Sequence, residues 1–118
     1  MSKDWNRRTK LVHAGTRRSQ YNEVSEAIFL TQGFVYDSAE AAEARFLKAG
    51  KDEFIYARYG NPTVAMFEER MAALEGTEDG FATASGMAAV SGALMAVLKA
   101  GDHVVAARAL FGLSLIHI

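Results

Sequence analysis

Two short runs carry side chains able to hold an anion. The first is Tyr56-Ala57-Arg58-Tyr59-Gly60-Asn61-Pro62-Thr63. With 54–58 extended, Tyr56 and Arg58 point to the same side, because side chains alternate along an extended chain. A tyrosine hydroxyl beside a guanidinium fork can clamp an oxyanion, since Arg makes paired hydrogen bonds to phosphate. Spacing alone favours a half-buried Tyr next to a solvated Arg. The second run is Thr83-Ala84-Ser85-Gly86-Met87. If a helix opens at Gly86, its first N–H groups lack intrahelical acceptors and sit at the positive end of the helix dipole. Gly86 would admit a ligand close to the backbone, and Ser85 would cap the helix or lend a hydroxyl. An ordinary capped helix packed through Gly and Ala has the same spacing. The run lacks the Gly-Lys-Ser/Thr ending of a phosphate loop and the Gly-x-Gly-x-x-Gly pattern of a dinucleotide site.

Other chemistries find little support. His13, His103 and His117 are far apart and have no metal-ligand spacing, and with no Cys there is no thiolate zinc site, disulfide or Cys nucleophile. No Ser/His/Asp arrangement can be argued from spacing. Trp5, Tyr21 and the pairs Arg7-Arg8 and Arg17-Arg18 could form a nucleic-acid arm. However, 13 basic residues are balanced by 14 acidic ones, for a net charge of -1, whereas a nucleic-acid binder shows a basic excess. Met1 to Lys10 is charged and no apolar signal segment follows it. Gly80 to Leu98 is 19 residues without a charge, long enough to span a bilayer. It consists largely of Ala, Gly, Ser and Thr and is broken at Ser85-Gly86, so a buried strand followed by a buried helix accounts for it better.

The elements that would position these runs can be read from caps and periodicity. Of 118 residues, half are hydrophobic and 23% charged, a balance that suits one domain or less. Residues 1–26 read as a polar arm with little core of its own. Ala27 to Tyr36 is β-rich and extended. Asp37 and Glu40 have capping-box spacing, with Ser38 as an alternative cap, for a helix from Ala39 to Ala49 closed by Gly50. Residues 51–60 read as extended around Phe54-Ile55-Tyr56. Asn61-Pro62 is a helix start, with Asn as cap and Pro at the first helical position. Val64, Phe67, Met71 and Leu74 then mark the apolar face of a helix ended by Gly76. A strand over Gly80–Ala84, a closely packed helix over Gly86–Lys99 and a strand over His103–Ala107 complete an α/β rhythm of helix, strand, helix, strand. A parallel sheet of two or so strands leaves an open edge, so the 118-residue chain is expected to fold poorly by itself.

Together these segments resemble the N-terminal part of the Cys/Met-metabolism family of pyridoxal-phosphate enzymes, which includes cystathionine γ-synthases, γ- and β-lyases and homoserine sulfhydrylases. The resemblance rests on Thr9 to Gly15, Phe54 to Thr63, Leu74-Glu75-Gly76, Ala84 to Ala88 and Gly101 to Val105. The combination of YxRxxNPT followed by SGM is specific, where either half alone is not. The resemblance implies an α/β chain of the aspartate-aminotransferase-like fold type I with an extended N-terminal arm. In that scheme residues 1–60 are an arm and helix contacting a neighbouring subunit, and 61–112 begin the cofactor-binding α/β domain. It implies that Ser85, Gly86 and Met87 form the phosphate-binding turn, with Gly86 and Met87 offering backbone N–H groups. Tyr56 and Arg58 would reach the cofactor phosphate of a neighbouring subunit, making a homo-oligomer with shared active sites, a homotetramer in the cytoplasm. Phe111 falls where many members carry a Tyr stacked on the pyridine ring. A phenyl ring keeps the stacking but has no hydroxyl to move a proton, which weakens a lyase reading.

Within the family, Arg18-Ser19-Gln20, residues 26–33, residues 35–40 and residues 106–112 resemble the O-succinylhomoserine sulfhydrylase branch. Its reaction replaces the succinyl group of O-succinyl-L-homoserine with sulfide to give homocysteine, a step of methionine biosynthesis. The alternatives are a cystathionine γ-synthase or a γ- or β-lyase of the same family, or a non-catalytic phosphate-binding or oligomerisation module. The partners implied are an acyl-homoserine, sulfide and further copies of the chain, with no nucleic acid and no membrane. The family's Schiff-base lysine, pyridinium-pairing Asp and substrate-carboxylate Arg have no counterpart here, and Lys51 and Lys99 do not sit in the lysine motif. No catalytic residue and no metal ligand is therefore assigned. The expectation is about the first third of an enzyme, inactive by itself, with residues 113–118 (LSLIHI) a non-native read-through tail.

Overall fold

The computed structural model describes residues 4–110 and residue 112. The expectations for Phe111 and for residues 113–118 lie outside the described residues. Four helices are named among the described residues: α1 (Arg7–His13), α2 (Ala39–Leu47), α3 (Pro62–Glu75) and α4 (Gly86–Val97). The chain divides into one unit through Phe81 and a second from Ala82 onward.

Helix limits follow the local capping chemistry. Asn61 Oδ1 accepts the Thr63 N–H at 2.8 Å, Pro62 occupies the first turn, and Gly76 closes α3 in the left-handed conformation at φ 73. Only glycine takes that conformation without a Cβ penalty. Ser38, and not Asp37, caps α2, its Oγ accepting the Ala41 N–H at 3.1 Å. The carboxyl of Glu40 in that first turn lies below the usual carboxylate range because its own backbone N–H and the Ser38 hydroxyl bond to it. At its far end α2 stops at Leu47, short of the expected Ala49. Gly50 does not cap it; the Gly50 N–H donates instead to Glu53 Oε2 at 2.7 Å. Ser85 caps α4 through the Ala88 N–H at 3.1 Å, and α4 ends at Val97, short of Lys99.

In the first unit the packing centres on α1 against α3. The arm thus contains a helix that the polar reading missed. Asn6 caps it by accepting the Thr9 N–H at 2.9 Å, and the chain leaving it runs tight to α3. Ala14 is buried, Arg70 Nε donates to the Ala14 carbonyl at 2.9 Å, and the Arg17 N–H reaches Met66 Sδ at 3.4 Å. The Arg70 guanidinium also meets Glu26, and Arg17 pairs with Glu69 and Asp52, each at 2.6 Å. α3 buries Pro62, Met66 and Ala72. On the apolar face marked by Val64, Phe67, Met71 and Leu74, the first three are exposed and Leu74 is half-buried. α3 packs on the side that meets α1 and the arm, and polar anchors at Glu69 and Arg70 do much of that work.

The expected sheet is absent from the described residues. Their β pairing is one isolated antiparallel bridge between Gly33 and Tyr56. Along residues 27–36, Phe29, Phe34 and Tyr36 are half-buried and Ile28, Leu30 and Val35 exposed, but no ladder forms. Residues 80–84 and 103–107 are likewise not strands. A strand exists through hydrogen bonds to its neighbours, and these segments have no ladder partner. In the second unit α4 buries none of its residues, contrary to the close packing expected of it, with Met95 and Val97 exposed. No helix among the described residues is long and apolar enough to cross a membrane.

Candidate functional site

Tyr56 and Arg58 do come together, through a turn and not through the expected extended run. The N–H groups of Tyr59 and Gly60 both donate to the Tyr56 carbonyl, at 2.9 and 3.1 Å, so the chain folds back directly after Tyr56. This places the Arg58 guanidinium carbon 5.0 Å from the Tyr56 ring centroid and 5.3 Å from that of Tyr59. A guanidinium on aromatic faces is held by the ring quadrupole while its in-plane N–H donors stay at the edge. Arg58 is exposed, and Tyr56 is 37% exposed. The pair therefore presents a cationic fork and a phenol to the surface, as a site for an anion arriving from outside requires.

The turn is braced from the arm. The Ala57 N–H, between the two candidate residues, donates to the Gln32 carbonyl at 2.8 Å, and Gly33 bridges to Tyr56. Behind it, the Tyr36 hydroxyl reaches the Ile55 carbonyl at 3.4 Å, and the Phe34 and Phe54 rings lie 5.6 Å apart. On the other side Asn61 is buried, and its Nδ2 donates to the Phe29 carbonyl at 2.9 Å. The sequence reading treats Asn61 as a helix cap alone. Its second bond reaches across 32 residues, and no local spacing rule reveals it.

Ser85, Gly86 and Met87 stand together at the start of α4, as expected. Ser85 Oγ takes the Ala88 N–H and the Ser85 carbonyl takes the Ala89 N–H at 3.1 Å, while Thr83 Oγ1 donates to that same carbonyl at 2.8 Å. Ser85 still has its own hydroxyl proton to donate. A Cβ built on Gly86 would meet nothing within 4 Å, so the approach to this backbone is open. This group lies in the second unit and the Tyr56–Arg58 turn in the first. Lys51 is exposed and pairs with Glu69 at 3.6 Å, and the exposed Lys99 offers its backbone N–H to Asp102 Oδ2 at 2.7 Å. Neither is enclosed in a pocket of the kind that desolvates a covalent lysine. No group of His, Asp and Glu among the described residues could hold a metal ion.

Comparison with known proteins agrees with the motif order. The model of the Cys/Met metabolism PLP-dependent enzymes matches residues 8–117. An O-succinylhomoserine sulfhydrylase of Mycobacterium tuberculosis is 56% identical over 102 residues, covering 86% of this chain and 25% of that protein. Its counterpart in Pseudomonas aeruginosa is 49% identical over 105 residues, covering 88% and 26%. An L-methionine gamma-lyase of Fusobacterium nucleatum is 46% identical over 106 residues, covering 88% and 26%. The chain thus spans about a quarter of the length of the relatives it matches. The crystal structure of a putative O-acetylhomoserine (thiol)-lyase from Campylobacter jejuni, solved with a pyridoxyl-lysine phosphate, superposes with a TM-score of 0.86. It has 28% identity and covers 95% of this chain and 27% of that one. That likeness agrees with the expected fold type I. From the family match and these identities, the chain belongs to the Cys/Met metabolism family of PLP-dependent enzymes.

Proposed function

We propose that these residues form the phosphate-holding part of a pyridoxal-phosphate enzyme catalysing γ-replacement, in which O-succinyl-L-homoserine and sulfide give homocysteine and succinate. The observation that carries this reading is the 56% identity to a sulfhydrylase over a stretch that includes the Tyr56–Arg58 turn and the Ser85 helix start. The donor set suits the cofactor's phosphate. Arg58 contributes a cationic fork, Tyr56 and Ser85 contribute hydroxyls, and the first turn of α4 contributes backbone N–H groups at Gly86 and Met87. When bound, pyridoxal phosphate supplies the electron sink for the carbon chemistry.

In this reading Ser85, Gly86 and Met87 hold the phosphate of the subunit's own cofactor, and Tyr56 and Arg58 reach the phosphate of a neighbouring subunit. By the same resemblance Phe111 would be the residue set against the cofactor's ring. Two phosphate anchors from different subunits would require at least a dimer; the oligomer proposed is a homotetramer, in the cytoplasm. The net reaction forms a C–S bond, breaks the γ C–O bond and releases succinate, with the proton of hydrogen sulfide neutralised by solvent or a protein base. Phe111 has no hydroxyl to donate a proton, which favours replacement over elimination.

The test supplies the intact gene product and pyridoxal phosphate with O-succinyl-L-homoserine and sulfide. Homocysteine and succinate in equal amounts are expected. An α-keto acid from L-methionine without homocysteine would replace this reading with a γ-lyase one, the activity named for the Fusobacterium relative. Turnover of O-acetyl-L-homoserine alone would correct the acyl group.

A further inference from the structure

Phe29 is held in an unusual way. Its carbonyl accepts the Asn61 Nδ2–H at 2.9 Å, and its N–H donates to Thr63 Oγ1 at 2.9 Å. Both of its backbone polar groups are thus satisfied by side chains of the Asn-Pro-Thr run at the start of α3, although the segment has no strand partner at this point. Three residues on, the Gln32 carbonyl takes the Ala57 N–H at 2.8 Å and Gly33 bridges to Tyr56. The segment 29–33 therefore spans from the helix start to the backbone between Tyr56 and Arg58.

Helix capping does not explain these bonds. The cap needs only Asn61 Oδ1, which takes the Thr63 N–H. Asp would cap as well as Asn, but an ionised carboxylate has no proton to donate to the Phe29 carbonyl. A buried Asn amide with both ends bonded is costly to leave half satisfied, and Asn61 is the buried polar residue among the described residues. We propose that Asn61 and Thr63 are positioning residues: by gripping Phe29 they seat segment 29–33 against the Tyr56–Ala57 backbone and so hold the Arg58 fork in place for a phosphate. This inference rests on the phosphate role proposed above for Tyr56 and Arg58.

The test uses the intact gene product, stripped of cofactor by dialysis and titrated with pyridoxal phosphate. Thr63→Val keeps the side-chain shape and the helix but removes the acceptor for the Phe29 N–H. It should weaken pyridoxal phosphate binding about fivefold, as loss of one hydrogen bond does, and should speed exchange of the Ala57 amide. Thr63→Ser should restore both. Arg58→Ala should weaken binding by itself, and adding Thr63→Val to it should produce no further loss.

The clamp proposal is overturned if Arg58→Ala weakens binding while Thr63→Val does not, or if the two losses multiply in the double variant, since a general packing role would give that. If Arg58→Ala leaves affinity unchanged, the phosphate reading has failed. The clamp is then decided by the Ala57 amide, whose exchange must still rise in Thr63→Val. If Thr63→Val does not fold, amide exchange of the unaltered protein under mild denaturant decides. The Phe29 and Ala57 amides must lose protection together, and independent opening refutes the coupling.

Discussion

Gly15 and Gly76 adopt nearly the same left-handed backbone, with φ +72 and +73, in very different surroundings. A Cβ on Gly76 would meet nothing within 4 Å, while one on Gly15 would lie 2.5 Å from the Met66 carbonyl oxygen, 3.0 Å from Glu69 Cβ and 3.1 Å from the Arg70 nitrogen. Two alanine substitutions thus share one backbone penalty and differ in steric cost. The shared part, an L-residue placed in the left-handed region, is about 1 kcal/mol. At Gly15 the atom approached most closely is the Met66 carbonyl oxygen of the α3 backbone, and Met66 is buried at 3% exposure, so α3 has little room to move. The chain leaving α1 must lift instead, which loosens the Arg70 bond to the Ala14 carbonyl and the Arg17 N–H contact with Met66 Sδ. Together these bring Gly15→Ala to about 3 kcal/mol, against about 1 kcal/mol for Gly76→Ala. The assay is native-state amide exchange, read at the Ala14 N–H, which bonds Lys10 O at 3.0 Å, and at the Thr77 N–H, which bonds Ala72 O at 3.0 Å. Gly15→Ala should accelerate exchange at Ala14 roughly thirtyfold more than Gly76→Ala does at Thr77. Equal effects would refute the close approach of the arm to α3 and with it the α1–α3 packing described here.

Four further outcomes follow from the same geometry. Ser85→Ala removes the α4 cap and should cost that helix about 1 kcal/mol, seen as faster exchange at the Ala88 amide; unchanged exchange would contradict the cap. The Glu23 carboxyl lies below the usual carboxylate range because the Ser19 hydroxyl and the Ser19 N–H both donate to it, at 2.6 and 2.8 Å. Its contribution is therefore complete above the ordinary carboxylate pKa and lost as pH falls through the lowered folded value, so protection of the Ser19 amide should hold down to that ordinary range and drop below it. Incubation of the 118-residue chain with pyridoxal phosphate should give no absorbance band that disappears on replacing one lysine; loss of such a band in Lys99→Arg or Lys51→Arg would overturn the assignment of both as solvated. With Phe81 at 88%, Val97 at 75% and Val105 at 100% exposure, the same chain should associate with rising concentration in sedimentation and show no cooperative melt as a monomer.

The sequence by itself determined the features whose causes are local. Asn61-Pro62, Ser38, Ser85 and Gly76 set helix limits because a cap is a hydrogen bond between residues two or three apart, or a backbone angle that glycine alone takes cheaply. The order of YxRxxNPT and SGM likewise points to the family and to the two runs proposed to hold an anion. The features decided by distant partners were not legible. The polar arm forms α1 because its exit docks on Arg70 and Met66, about fifty residues away. α3 turns Met66 and Ala72 inward and leaves Val64 and Phe67 exposed because the arm, and not the most apolar stripe, sets which side packs. Segments with strand-like composition at 80–84 and 103–107 do not become strands, since a ladder requires a neighbour that composition cannot supply. Tyr56 and Arg58 meet through a turn instead of an extended run, braced by Gln32 and gripped through Phe29 by Asn61 and Thr63. Local pattern records what a residue can do within one helical turn, whereas only the tertiary structure decides which distant backbone group satisfies a side chain's remaining hydrogen bonds.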